Sequence, residues 1–146
     1  MPWCHSDYSL NDSIAWVSTS SERWESGVEC AFAIFDQVGE YVGGCGFNGF
    51  NRMHNFANLG YWIRESRQRQ GIAVEAVLAL SKFGFTALGL TRIEIVVAMQ
   101  NRPSRRVAEK AGATYECLAR NRLLINNALH TAAVYSLIPN GPLTLR

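Results

Sequence analysis

Tyr61-Trp-Ile-Arg-Glu-Ser-Arg-Gln-Arg-Gln-Gly-Ile-Ala73 reads as the end of a strand, a short basic turn and the first residues of a helix. Backbone N–H groups at a helix start have no partner within the helix, and the helix dipole places partial positive charge there. Gly71 stands at the corner, where the missing Cβ lets an anionic ligand approach the backbone. Arg67 and Arg69 flank it and are expected to add charge-assisted contacts. The stretch has the design of a phosphate-binding corner. A basic surface turn is the plainer alternative, and a short motif alone leaves it open.

Upstream of the corner, Phe56–Ile63 is the strand that leads into it. Cys30–Phe35 is a continuous apolar run of strand length, residues 36–40 with Gly39 form a turn, and residues 41–47 return as a second strand. The two read as a hairpin, followed by a polar loop over residues 48–55. Further back, Ser9 and Asp12 have the spacing of a capping box, and Leu10, Ile14 and Val17 give a helix an apolar face. Residues 18–26 are polar and read as a loop.

Downstream, Val74, Val77, Leu78, Ser81, Phe85 and Leu88 form one helical stripe, and Gly89 suits the left-handed residue beyond its end. Residues 92–97, Arg-Ile-Glu-Ile-Val-Val, are a β-branched strand. Asn101-Arg-Pro-Ser then starts a second helix, with Pro103 where no N–H is needed, and Gly112 ends it. Residues 113–120 and 130–138 are two more strands, separated by a loop with Asn126 and Asn127. A helix between strands implies a parallel crossover, whereas the first three strands should meander antiparallel. The fold class is therefore α/β, a mixed sheet with its ligand site at the ends of the third and fourth strands.

Composition narrows the function. At 146 residues the chain is expected to be one domain, 1–146, with no linker or repeat. A net charge of +2 without a basic stripe argues against nucleic acid, and no apolar run is long enough to cross a bilayer. Cys4, Cys30, Cys45 and Cys117 stand singly, which suggests buried reduced thiols and a cytoplasmic protein. His5, His54 and His130 lack metal-ligand spacing, so no metal is expected. Trp16, Trp24 and Trp62 read as packing residues, although Trp62 is close enough to the corner to line a site there. No GK[S/T] follows Gly71 and no GxGxxG occurs, so the corner is neither a nucleotide P-loop nor a dinucleotide fingerprint.

Gln68-Arg-Gln-Gly71-Ile-Ala73 resembles the Gln/Arg-x-x-Gly-x-Gly/Ala pyrophosphate motif of the GNAT superfamily of N-acetyltransferases. Leu59-Gly-Tyr-Trp-Ile63 and Asn101-x-x-Ser104-x-x-Val107-x-Glu-Lys-x-Gly112 are similar to its RimJ/RimL branch, which acetylates protein N-termini. The resemblance spans most of the chain and carries three motifs in the right order. It implies that backbone groups of Trp62 and Ile63 hold the pantetheine arm of acetyl-CoA in a splay between the third and fourth strands. It implies further that Gln68, Arg69, Gln70, Gly71, Ile72, Ala73 and Val74 bind the pyrophosphate. Asn101 would contact the cofactor near the thioester, and Ser104 would face the sulfur and assist the departing thiolate. Helix-start capping is the structural alternative for Ser104.

Two departures from the branch stand out. Members often carry a glutamate on the third strand as a base, where this chain has Asn58, which cannot take a proton. Glu94 on the neighbouring strand is the nearest replacement, or else a surface ion pair. An α-amino acceptor, with a reference pKa of about 8 against about 10.4 for lysine, tolerates the loss better. Members also usually begin with a further strand and helix, and without that strand Cys30–Phe35 has an apolar free edge. Either the segment around residues 3–9 covers that edge, or the natural chain begins further upstream, or two chains pair there, and a homodimer is the favoured expectation. Three functions compete: an N-terminal protein acetyltransferase, an acetyltransferase for a small amine, and a CoA-binding module with weak catalysis.

Overall fold

The computed structural model describes residues 9–140, so Trp3, Cys4 and His5 lie outside the described residues. Helix α1 (Leu10–Glu25) opens on the capping box: the Ser9 backbone N–H donates to Asp12 at 2.8 Å, and Asp12 N–H returns to the Ser9 hydroxyl. It continues through the polar residues that read as a loop. Ser18, Thr19 and Ser20 turn their hydroxyls onto the carbonyls of Ala15 and Trp16, so their polar groups are satisfied within the helix.

β1 (Cys30–Phe35) and β2 (Tyr41–Asn51) form the expected hairpin. β2 runs four residues beyond the sequence reading, because Asn48 and Asn51 still pair with Asn58 and Phe56 across a bulge at left-handed Gly49. β3 (Phe56–Ile63) follows, then a single 3₁₀ turn at Glu65–Arg67 and α2 (Ile72–Thr86). β4 (Arg92–Ala98), α3 (Arg102–Lys110), β5 (Thr114–Ile125) and β6 (Ala128–Leu137) complete the order. The expected loop between the last two strands shrinks to Asn126 and Asn127. Both have positive φ, as a two-residue hairpin turn requires.

The six strands of the described residues lie in the order β1-β2-β3-β4-β6-β5, with β3 and β4 parallel and the other pairs antiparallel. This is the mixed sheet that the helix-between-strands pattern predicts. Alternation sends Leu59, Ile93, Ile95, Val97 and Tyr135 to one face, against Val77 and Leu80 of α2 and Ala108 of α3. Trp24 of α1 joins that face by an edge contact to Phe32, which in turn meets Phe83 of α2. Leu78, assigned to the buried stripe of α2, is instead half exposed; Gly84 is buried in the stripe against Phe47.

The cysteines divide. Cys30 is buried, Cys45 is half-buried with its thiol pushed up to about 11 by burial, and Cys117 is exposed, against the expectation that all are buried. All three are free thiols.

Candidate functional site

Parallel pairing of β3 with β4 covers three rungs, Phe56–Arg92, Ala57–Ile93 and Asn58–Glu94, and then stops. β3 continues to Ile63 and β4 to Ala98, so a cleft opens between them on the way to two helix starts. Beyond β3 lies the N-terminus of α2, and beyond β4 that of α3.

At the first helix start, Gly71 is the N-cap, with φ 80° and ψ −3°, and Arg69 also has a positive φ of 62°. A left-handed arginine is uncommon and costs energy, which residues at ligand sites often carry. Alternation of ordinary and left-handed residues is the backbone pattern in which successive N–H groups can face one anion. A Cβ on Gly71 would meet nothing within 4 Å. The glycine is therefore set by the backbone conformation and by space for a ligand, and no neighbouring protein atom demands it.

Arg67 departs from its expected role. Its guanidinium donates to Asp36 at 2.7 Å, and it also reaches Glu40 at 3.5 Å and the Gln70 side chain at 3.3 Å. It faces the β1–β2 turn and is already committed. Gln68 is likewise engaged, its amide donating to the Ile63 carbonyl at 3.0 Å. Arg69 is exposed at the corner, as a cation beside a phosphate would be.

The expected pantetheine contacts divide between neighbours. The Trp62 carbonyl points at β2, where a Cβ on Gly43 would run into it, and Arg64 N–H bonds the Val42 carbonyl on the same side. Alternation then turns the backbone groups of Tyr61 and Ile63 toward the cleft. Trp62 is thus a wall of the opposite sheet face, its ring against Tyr41 and over Gly44, and Tyr61 joins Ile63 as a candidate on the cleft side. Strand parity could have found it, had the partner side of the strand been known.

At the second helix start, Asn101 is the N-cap, accepting the Ser104 N–H at 3.3 Å, so the cap is Asn101 and not Ser104. Tyr61 crosses the cleft and donates its hydroxyl to the Ser104 carbonyl at 2.6 Å. Burial pushes its phenol well above its ordinary range, which keeps it a donor. That bond fixes the position of Ser104 relative to β3.

The two base candidates sit on one rung, on the face away from the helices. Asn58 Nδ2 donates to Asn48 at 2.9 Å, and its Oδ1 accepts Val96 N–H. Glu94 is held by Arg92 through Nε at 3.1 Å and a second nitrogen at 2.9 Å. Arg92 also grips Glu116, which takes the Ser136 hydroxyl at 2.7 Å. Together these bonds lower the Glu116 carboxyl to about 2. Glu94 is accordingly the ion-pair member that was its alternative reading. His130 lies apart from this rung, its Nδ1 2.9 Å from the Gln100 amide.

Comparison with known proteins gives the same family. The acetyltransferase (GNAT) domain profile matches residues 1–114. The chain is 34% identical to the uncharacterized N-acetyltransferase YoaA of Bacillus subtilis over 68% of its own length and 56% of that protein's. It is 30% identical to the ribosomal-protein-serine acetyltransferase of Escherichia coli, over 78% of this chain and 63% of that one. The chain thus spans less than two thirds of the length of these curated relatives. The structure of Mycobacterium smegmatis RimJ, in complex with CoA-disulfide, superposes with a TM-score of 0.82 at 26% identity, covering 92% of this chain and 67% of that one. Matching the domain profile over well more than half its length, the chain belongs to the acetyltransferase (GNAT) domain family.

Proposed function

We propose that the chain acts as a single-domain, cytoplasmic N-acetyltransferase that moves the acetyl group of acetyl-CoA to a protein N-terminal α-amino group. One observation carries the reading: β3 and β4 part after the Asn58–Glu94 rung, and the cleft leads to a left-handed glycine corner on one side and to Ser104 on the other.

In this reading the N–H groups from Arg69 to Val74 take the pyrophosphate. The backbone groups of Tyr61 and the Ile63 N–H hold the pantetheine arm as a strand would be held, the Ile63 carbonyl being taken by the Gln68 amide. Asn101 lies near the thioester, and the Ser104 hydroxyl donates to the sulfur as it leaves. The amine enters from the face that carries Asn58 and Trp62, attacks the thioester carbonyl, and expels the thiolate, which takes up the proton that the nitrogen gives off as the amide forms. CoA thiolate is a competent leaving group, so a hydrogen bond suffices where a strong acid would otherwise be needed.

The acceptor must arrive neutral, because Glu94 is bonded to Arg92 and Asn58 cannot accept a proton. That favours an α-amino group, roughly half of which is neutral near pH 8, over a lysine side chain. The relatives named for ribosomal-protein acetylation support the same class. Thiol release from acetyl-CoA, measured against a panel of peptides with free N-termini and a panel of small amines, tests the proposal. Peptide-dependent release is the expected result. Turnover confined to polyamines, amino acids or drugs would replace the acceptor, and no release with any amine would leave a CoA-binding module.

A further inference from the structure

We propose that Asp36, acting through Arg67, is a positioning residue for the phosphate corner. The inference rests on reading that corner as the pyrophosphate site.

Asp36 lies 31 residues before Arg67, in the turn between β1 and β2. One carboxylate oxygen is used by its own turn: it accepts Val38 N–H at 3.0 Å and Glu40 N–H at 2.9 Å. The other takes the Arg67 guanidinium at 2.7 Å. Asp36 is therefore fixed before it binds Arg67. The Arg67 bond, first, and these turn bonds hold the Asp36 carboxyl below its ordinary range.

Arg67 passes this order on. Its guanidinium is planar, so the nitrogen that meets Asp36 sets the direction of Nε, which reaches Gln70 at 3.3 Å. Gln70 is the residue between the two left-handed positions, Arg69 and Gly71. At the other side of the same loop, Gln68 ties back to the Ile63 carbonyl. The loop is thus bracketed by two side-chain anchors, which hold its left-handed middle in place without help from a ligand. A corner already in its binding conformation loses less freedom when an anion arrives.

Asp36 and Glu40 also cancel the Arg67 charge, so Arg67 orients the corner and does not serve as its phosphate ligand. An ordinary surface ion pair would stabilise the fold a little and leave ligand affinity alone. The two roles differ in which ligands they affect.

The test is CoA binding by calorimetry, with pantetheine, which lacks the pyrophosphate, measured by competition against CoA. Asp36→Asn is expected to weaken CoA about fivefold to tenfold, or roughly 1–1.4 kcal/mol, and to change pantetheine by less than about twofold. Asp36→Glu should recover most of the loss. Arg67→Gln should match Asp36→Asn, and the double variant should be no worse than either single one. Unchanged or tighter CoA binding in Asp36→Asn would overturn the proposal, tighter binding meaning that the freed arginine is itself a phosphate ligand. Equal loss of both ligands would overturn it too, as general loosening. A wild-type chain that binds CoA and pantetheine equally would overturn the proposal together with the reading of the corner.

Discussion

Asn58 Oδ1 accepts the backbone N–H of Val96 at 3.2 Å, and the two residues belong to strands that stop pairing at the Asn58–Glu94 rung. The side chain takes over where the backbone ladder ends. Val96 N–H would otherwise face the opening cleft without a strand partner. By also donating to Asn48, Asn58 joins β2, β3 and β4 at the apex of the fork. Asn58 is here a pin between three strands.

The pH dependence follows from that pin. With Asn58 bonded and Glu94 on Arg92, no carboxylate on this rung is available to take the amine's proton. The rate should therefore rise with pH toward the acceptor's own pKa, about 8 for an α-amino group. Asn58→Glu should move the rising limb to lower pH if the fork survives it. A pH–rate profile of the unmodified protein that levels off well below the acceptor pKa would show another base at work.

Gly71 separates two effects that usually act together. Its φ of 80° is costly for any residue with a Cβ, by about 1–2 kcal/mol, while the space around it is open. Gly71→Ala should lower stability by about that amount and weaken CoA modestly. Gly71→Glu adds a negative charge beside the proposed pyrophosphate site, and CoA affinity should fall on the order of 100-fold, given roughly 4 kcal/mol for two charges at 4 Å near a surface. Calorimetry with equal CoA affinity in Gly71→Glu would remove the corner from the site.

The strand, turn and helix start at Gly71 were legible in the sequence because their signals are local: Gln68, Gly71 and Ala73 fall within six residues, and the strand and helix on either side have clear periods. The order of β1 to β3 and the crossover through α2 were legible for the same reason. What escaped depends on distance. Nothing near Arg67 reveals that Asp36 claims it, and nothing near Glu94 reveals Arg92 as shared with Glu116. That the Trp62 carbonyl faces β2 stayed hidden because a single strand does not disclose which neighbour its backbone groups face. The polar end of α1 was misread because Ser18, Thr19 and Ser20 favour loops until their hydroxyls find the helix's own carbonyls.

Ser104 should contribute to rate and not to folding. Its N–H is held by Asn101 and its carbonyl by Tyr61, so the hydroxyl is not what keeps it in place. A hydrogen bond to a leaving thiolate is worth about 1.5–3 kcal/mol, so Ser104→Ala should cost on the order of 10–100-fold in turnover with an unchanged melting temperature. Tyr61→Phe should lower turnover as well, by releasing Ser104. Full activity in Ser104→Ala would return the residue to a purely structural place.

Acid stability should depend on Glu116. Its folded pKa, about 2, lies below the ordinary 4.5, chiefly through Arg92 and then Ser136. A depressed carboxylate stabilises fully above its unfolded pKa, and that stability drains as pH falls through the folded one. Glu116→Gln should therefore melt lower than the parent at pH 7 and converge with it toward pH 2. Glu116 is more than a third exposed, so solvent screening limits the difference to about 1 kcal/mol. A gap that widens on acidification would contradict the sign.

Gly84 sets helix propensity against packing, and the geometry decides which wins. Glycine inside α2 should by propensity alone be improved by alanine, by about 1 kcal/mol. A Cβ there would stand 2.7 Å from the Phe47 ring and 3.1 Å from Ile93 Cδ1, and both residues are wholly buried. Neither is the far end of a flexible surface chain, so the helix must lift or the ring must leave its rotamer. Overpacking of this kind costs about 1–3 kcal/mol, and a contact this close belongs near the upper end. The net loss should be about 2 kcal/mol, or a fall of roughly 4–8 °C in melting temperature at this size. Because α2 carries the proposed phosphate corner at its start, lifting it off Phe47 should also weaken CoA. A rise in melting temperature would mean that Phe47 yields freely, and that α2 is not seated by that contact.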